Sequence, residues 1–373
     1  MNKLSRNSIS TVLRAASTLR LSGGGAECGI NNVQLFTNTL EYRVMTVPPP
    51  SRSRRSKTLI AHSGKTETGR VRTINQDSFF VGEVIGGYLA VVADGMGGHS
   101  TGEVASQKAV ATIQSELESS KSYPPAALAR AVQSANLEIF DYASEHPENH
   151  GMGTTLTTVF IDDQVGLVGH IGDSRVYLVR EGEIQQLTLD HSWVAERVRQ
   201  GILTNDEAKR HRLRNVITNA LGALPEVKLD LSHFEVQKGD RLLLCSDGIN
   251  MLLSDETLLE ILSDDATPDE LTQRLMDEAN KRGSPDNITA VVIEVEAVET
   301  RNKKYALPRK LHEEPSSITI GGTNTGIRRI EEAYPRQDFM SQLKRKSWYP
   351  YRFWILGILY LILLIVVFAL WRP

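Results

Sequence analysis

The chain has two cysteines in 373 residues. Cys28 lies in a polar N-terminal stretch and Cys245 inside an apolar run, so no disulfide framework is available. No cysteine and histidine fall at zinc-ligand spacing, which excludes a structural zinc module. Cys245 reads as a small core residue rather than a nucleophile, and a reducing, cytosolic setting fits the main domain. The chain also lacks any excess of positive charge: 42 Lys and Arg stand against 45 Asp and Glu, a net charge of -3. A general nucleic-acid role therefore has no electrostatic support. The first twenty residues hold no long apolar run, which argues against a secretory signal.

What is present divides into four segments. Residues 1–57 are rich in Ser, Arg and Gly, with Ser22-Gly23-Gly24-Gly25, Pro48-Pro49-Pro50 and Arg52-Ser53-Arg54-Arg55. They read as a disordered N-terminal segment, or as the product of a start placed before Met45, ahead of an Arg- and Ser-rich targeting peptide. Residues 58–297 read as one folded α+β domain. Its strand candidates are 78–83, 88–94, 154–162, 165–172, 174–180, 229–236, 241–247 and 287–295. One helix is expected from Ser100, with Glu103 closing a capping box. A second carries Leu128, Val132, Ala135 and Ile139 on one face. A third opens at Thr267-Pro268-Asp269-Glu270 and ends at Gly283. Strands in hairpins with helices in pairs suit two packed antiparallel sheets with helices outside, not a doubly wound sheet. Residues 190–222 interrupt the strands with a polar excursion carrying Lys209-Arg210-His211-Arg212. It reads equally as a solvated helix pair or as a flap beside a site.

Residues 298–352 turn polar and read as a linker of low structural content. Phe353 to Trp371 carries no charge. At about 1.5 Å per residue, a helix of that length approaches the ~30 Å of a bilayer core. Trp354 and Trp371 suit the two interfaces. Lys344, Arg345, Lys346 and Arg352 precede the span, which places the main domain on the cytoplasmic side of a single-pass membrane protein.

The chemistry gathers around Tyr88 to His99. An apolar strand, Tyr88-Leu89-Ala90-Val91-Val92-Ala93, stops at Asp94 and loosens into Gly95, Gly97 and Gly98. A lone Asp-Gly is more often a plain turn. Here the pattern recurs at Cys245-Ser246-Asp247-Gly248, with related forms at Gly172-Asp173-Ser174 and Pro285-Asp286-Asn287. With Asp77, these aspartates form an oxygen-only set, which selects Mg²⁺ or Mn²⁺ over zinc or copper. Paired ions of this kind activate water and neutralise a phosphate ester. Arg72 supplies the permanently charged fork that a phosphate needs.

The ordered series Gly69-Arg70-Val71-Arg72-Thr73-Ile74-Asn75-Gln76-Asp77, Asp94-Gly95-Met96-Gly97-Gly98-His99, Gly102-Glu103-Val104-Ala105-Ser106, Met152-Gly153-Thr154-Thr155, Gly172-Asp173-Ser174-Arg175, Ser246-Asp247-Gly248 and Pro285-Asp286-Asn287-Ile288-Thr289 resembles the protein phosphatase 2C (PPM) family. The Asp-Gly-Met-Gly-Gly form looks bacterial. The resemblance covers about residues 58–297. It implies a four-layer αββα sandwich and hydrolysis of phosphoserine and phosphothreonine in proteins; the span at 353–371 would set that activity at the cytoplasmic face of a membrane such as the bacterial inner membrane. It implies that Asp94 bridges two ions, Gly95 offers its carbonyl to one of them, Asp247 and Asp286 complete the shell of the second ion, and Asp77 acts nearby through water. Asp173 would belong to a third, weaker site. Arg72 would hold the phosphate, making Arg72 and Asp94 the catalytic residues, and 190–222 would be the flap. Phosphorylated proteins are the implied partners; a cognate Ser/Thr kinase in the same membrane is a further expectation that no residue of the sequence carries. Two departures stand out: Gln76 where some members carry a metal-binding Glu, and Met96 in place of a histidine general acid. Protonation of the leaving group then falls to metal-bound water or another group; His99 and His62 are the candidate substitutes, although such histidines are more often local hydrogen-bonders. The other readings are a non-catalytic pseudophosphatase and a two-metal phosphoesterase acting on small molecules or lipids.

Overall fold

The computed structural model describes residues 58–98, 101–120, 124–298 and 316–321. The strands are β1 Leu59–Glu67, β2 Asp77–Val84, β3 Gly87–Met96, β4 Gly153–Thr154, β5 Leu156–Asp162, β6 Val165–Ile171, β7 Arg175–Arg180, β8 Glu183–Gln186, β9 Glu226–Glu235, β10 Arg241–Cys245, β11 Ile288–Ala297 and β12 Ser316–Gly321. The helices are α1 Thr101–Ser119, α2 Pro124–Glu145, α3 Trp193–Arg199, α4 Asn205–Arg210, α5 Asp247–Asn250, α6 Asp255–Ser263 and α7 Pro268–Lys281. One sheet runs β1-β11-β10-β7-β8. The other runs β12-β9-β6-β5-β3-β2, with β4 paired on β3. Every pairing among them is antiparallel.

The central strands read as unbroken apolar runs because both of their faces are covered. Side chains alternate across a strand, and in β3 the alternation separates two cores. Tyr88, Ala90 and Val92 point between the sheets, toward Leu242 and Leu244 of β10. Leu89, Val91 and Ala93 point the other way, onto Ile113 of α1 and Leu128, Val132 and Ile139 of α2. On the far side, Leu243 and Cys245 meet Leu258 and Leu262 of α6 and Leu271 and Leu275 of α7. Three apolar layers between helices, sheet, sheet and helices make the expected αββα sandwich. Each large residue in them, such as fully buried Leu89, is worth about 2–5 kcal/mol on truncation to Ala.

Helix starts follow the caps expected of them. Thr267 accepts from Glu270 N while the Glu270 side chain returns to Thr267 N, with Pro268 opening α7. The cap expected at Ser100 lies outside the described residues.

Three strands go beyond the sequence reading: β1, β8 and β12. The last corrects the linker, since Ser316–Gly321 joins the edge of the larger sheet against β9. The N-terminal segment and the 353–371 span lie outside the described residues, among which no helix is long and apolar enough to cross a membrane.

The antiparallel frame brings the acidic loops to one end of the sandwich. Asp77 opens β2 and faces Asp94, near the end of β3, in direct register. Asp247 follows β10, Asp286 precedes β11 and Asp173 joins β6 to β7.

Candidate metal centre

Asp94 is fixed through its backbone. Its N–H donates to Thr155 Oγ1 (2.9 Å), and its carbonyl accepts from Thr155 N (2.8 Å) and Thr154 Oγ1 (2.9 Å). The next residue must be glycine. A Cβ on Gly95 would sit 2.0 Å from the carbonyl oxygen of Gly102, at the start of α1. Gly95 N donates to the carbonyl of Gln76, and Gln76 N donates to Asn287 Oδ1. Asn287 Nδ2 in turn holds the carbonyls of Thr68 and Ile74. One asparagine thus ties the loop carrying Arg72 to the turn carrying Asp286, just before β11.

Asp77 is buried, and its Oδ2 accepts from Ser246 Oγ (2.7 Å) and Thr289 Oγ1 (2.6 Å). Its Oδ1 is buried without a hydrogen-bond donor. Burial lifts the Asp77 carboxyl to about 6 against the pull of those two hydroxyls. Asp94 is raised well above the carboxylate range, first by burial and then by Asp77, Asp247, Asp173 and Asp286. Asp247 is raised in the same way, by burial and by Asp173, Asp286 and Asp77. Asp77 stands opposite Asp94 in the β2–β3 ladder, and the charges of Asp77 and Asp247 both act on Asp94. Asp173 rises to about 7, by burial and then by Asp190.

The structure therefore brings together all five acids that the sequence singled out. They repel one another, and a concentration of buried negative charge with an orphaned Asp77 oxygen fits hard divalent cations bound through oxygen. Among the described residues, no three acids, histidines or cysteines close around a single point as a finished cage. Arg72 lies in the same place but with a partner: its Nη2 donates to Asp286 Oδ2 at 2.9 Å.

Four further residues singled out in the sequence are Gln76, Met96, His62 and His99. The amide nitrogen of Gln76 lies 2.7 Å from where a Cβ on Gly102 would project, so it packs against the start of α1. Met96 packs on Gly153. His62 pairs in register with Ile293 and feels the charge of Glu83. Glu83 is at the far end of β2 from Asp77, roughly 20 Å along a strand, so His62 is removed as a substitute general acid. His99 lies outside the described residues.

The 190–222 excursion is tied down at both ends. His191 N donates to the Gly172 carbonyl (2.7 Å), Gly172 N donates to His191 Nδ1 (3.2 Å), and Thr218 N donates to the His191 carbonyl (2.8 Å). His191 Nε2 meets Asp230 Oδ2 at 3.0 Å. With Nδ1 accepting, Nε2 carries the proton. Leu221 and Thr154 exchange backbone hydrogen bonds of 2.8 and 3.0 Å, next to Asp94. Within the excursion, Trp193 stacks on His211 and under Arg197. Ser246, Thr289 and Asn287 lay inside the motifs, but composition marked their neighbours as ligands and gave no sign that they orient those ligands. His191 and Asn219 carried no sequence signal at all.

A family profile described as Protein phosphatase 2C matches residues 66–289. The chain is 38% identical over 271 residues to the serine/threonine protein phosphatase PstP of Mycobacterium tuberculosis, covering 72% of this chain but about half, 51%, of that relative. It is 35% identical over 236 residues to the serine/threonine phosphatase stp of Listeria monocytogenes, covering 62% of this chain and 94% of that one. A crystal structure of the catalytic domain of serine threonine protein phosphatase PstP in complex with two manganese ions matches with a TM-score of 0.59 at 38% identity. It covers 64% of this chain and 99% of that one.

Proposed function

Because this chain belongs to the protein phosphatase 2C family, we propose that it hydrolyses phosphoserine and phosphothreonine in proteins with Mn²⁺ or Mg²⁺. The observation that carries this reading is the convergence of Asp77, Asp94, Asp173, Asp247 and Asp286 at one end of the two sheets, where the other four charges act on Asp94. Asp94 would bridge two ions with the Gly95 carbonyl beside it. Asp247 and Asp286 would complete the shell of the second ion, Asp77 would act through water, and Asp173 would serve a third, weaker site. When bound, such ions supply a nucleophile at neutral pH and offset phosphate charge.

The chain's own residues set the rest. Ser246 and Thr289 aim Asp77 by holding one of its oxygens. Arg72 orients the phosphate with a planar donor fork, once its contact with Asp286 is given up. Met96 carries no proton to give, so it cannot act as general acid.

The reading extends to the ends of the chain. Residues 1–57 form a segment outside the catalytic domain of 58–297, and 353–371 form a single membrane span behind the 298–352 tail. Its support is the uncharged run, Trp354 and Trp371, and the basic residues before it. The catalytic domain then faces the cytoplasm, where phosphorylated proteins and a kinase of the same membrane are the partners.

The test is hydrolysis of a phosphoserine peptide by full-length protein across a Mn²⁺ titration, with Asp94→Asn as control. Metal-dependent turnover lost in the variant is expected. Equal turnover in chelator, or a preference for a phospholipid headgroup over the peptide, would overturn it.

A further inference from the structure

The strand β12 lies beyond residue 289, where the family match ends. It pairs antiparallel with β9 over six register positions, from Ser316 opposite Leu231 to Gly321 opposite Glu226. β6 covers β9 only from Asp230 to Glu235. β6 takes the opposite edge of β9, so residues 226–229 project past β6, and without β12 the outer edge of β9 would lie open. Such an edge exposes unpaired backbone groups and invites another strand. Here the occupant also brings a side chain: Ile320 is fully buried in the same core as Val227 and Leu229. Thr319, opposite Lys228, remains exposed.

The other side of this projecting segment is held by the end of the 190–222 excursion. Asn219 Nδ2 donates to the Lys228 carbonyl at 2.7 Å, and Lys228 N donates to Asn219 Oδ1 at 3.2 Å. The same Asn219 amide donates to His191 Nδ1 at 2.9 Å. His191 grips Gly172 by two hydrogen bonds, and Gly172 precedes Asp173. A continuous set of contacts thus leads from the tail strand through β9, Asn219 and His191 to the acidic centre.

We propose that the β9 edge is a peptide-docking surface occupied by the chain's own segment 316–321, and that this docking holds the return of the excursion against the Asp173 loop. The backbone ladder gives such docking its strength, and a buried side chain fixes its register. A tether within one chain keeps the strand at high effective concentration, so it occupies the edge without needing a strong intrinsic affinity. The consequence for catalysis rests on the phosphatase reading; the docking itself does not.

The experiment uses detergent-solubilised full-length protein in a Cys28→Ser background. Register partners Thr319 and Lys228 are changed together to cysteine, since opposed antiparallel residues lie at disulfide distance. An intrachain disulfide mapped by mass spectrometry is expected. A disulfide found only between chains would assign the edge to a second copy, and no disulfide would mean that the edge is unoccupied; either overturns the proposal. Ile320→Asp, with Ile320→Val as the conservative partner, is followed by hydrogen exchange. Exchange over 226–231 and 215–222 is expected to accelerate at least about tenfold in the aspartate variant, with β5 unchanged, and to stay protected in the valine variant. Unchanged protection in Ile320→Asp sinks the docking. For the catalytic half, kcat/KM on a phosphoserine peptide is expected to fall about threefold or more when the strand is released. A change below twofold alongside the expected exchange would overturn the coupling while leaving the docking in place.

Discussion

Arg72 Nη2 donates to Asp286 Oδ2 at 2.9 Å. The residue assigned to the phosphate and a residue assigned to a metal thus neutralise each other. The pair is half exposed, at 49% and 29%, so its strength is at the weak end, about 0.2–1 kcal/mol. An ion at Asp286 has to displace this guanidinium. Removing Arg72 should therefore help metal and harm substrate. Arg72→Met is expected to bind Mn²⁺ up to a few-fold more tightly by calorimetry, while kcat/KM on a phosphoserine peptide falls by about 10- to 1000-fold. Weaker metal binding in the variant would show that Arg72 does not compete for Asp286.

The acids themselves give an opposite pair of signs. Asp247 is raised by burial and by three neighbouring carboxyls, so its charge strains the fold when no cation is present. Asp247→Asn removes that charge and keeps the shape. In chelator at pH 7.5 the variant should melt a few degrees above the parent, on the order of 1 kcal/mol. In Mn²⁺ the order should reverse, and hydrolysis should be lost. Melting curves with and without metal check both halves. A variant less stable in chelator would mean that Asp247 is already paired with something other than its fellow acids.

The pH dependence follows from the same group. Asp77 and Asp173 are raised to about 6 and about 7, above an unfolded value near 4. An acid raised by folding favours the native state below its unfolded value, and that contribution is lost as pH climbs through its folded value. Metal-free protein should therefore lose stability between about pH 4 and 7. His170 pulls the other way. Burial lowers it to about 3, so the unfolded chain takes up its proton first as pH falls below about 6.5, and its contribution shrinks on the acid side. A cation replaces the missing protons on the acids. The rise in melting temperature on adding Mn²⁺ should be larger at pH 8 than at pH 5.5, and calorimetry should detect protons released on binding at the lower pH.

The sequence was most readable where burial is symmetrical. Strands such as β3 and β10 are covered on both faces, so each announces itself as an apolar run ending in an acid. Three of the acids are legible for the same reason: Asp94, Asp173 and Asp247 each mark the place where such a run stops. β1 shows where this stops. Its residues Leu59–Glu67 alternate poorly and include Gly64, and their pairing is set by β11. Gly64 is there because the Phe79 ring lies 2.3 Å from where a Cβ would be, a contact with another strand that no local pattern records. β12 is similar, a polar stretch made into a strand by the edge it meets. His62 looked available for chemistry because chain order does not say which end of a strand a side chain occupies.

The last prediction concerns the hydroxyls behind Asp77. Ser246 Oγ and Thr289 Oγ1 both reach its Oδ2, at 2.7 and 2.6 Å, and all three groups are buried. Ser246 Oγ also accepts from Thr289 N at 3.0 Å, so the pair locks β10 to β11 beneath the acid. Each hydroxyl donates to the charged form of the carboxyl and favours it. Thr289→Val keeps the shape and deletes the donor to Asp77, together with the acceptor that Thr289 Oγ1 offers Thr66 Oγ1 at 2.7 Å. The Asp77 carboxyl should then rise further, and its free oxygen should lose its aim. Partners of this kind are worth about 10- to 100-fold in metal affinity or activity. The expected result is a drop of that size in Mn²⁺ affinity and in kcat, with KM for peptide nearly unchanged, because Arg72 and the 190–222 excursion are untouched. Thr289→Ser should restore most of the loss. Combining Thr289→Val with Asp77→Asn should add little beyond Asp77→Asn alone, since the hydroxyl acts through that carboxyl. Full additivity in that cycle would mean that Thr289 serves the strand pairing and not the acid.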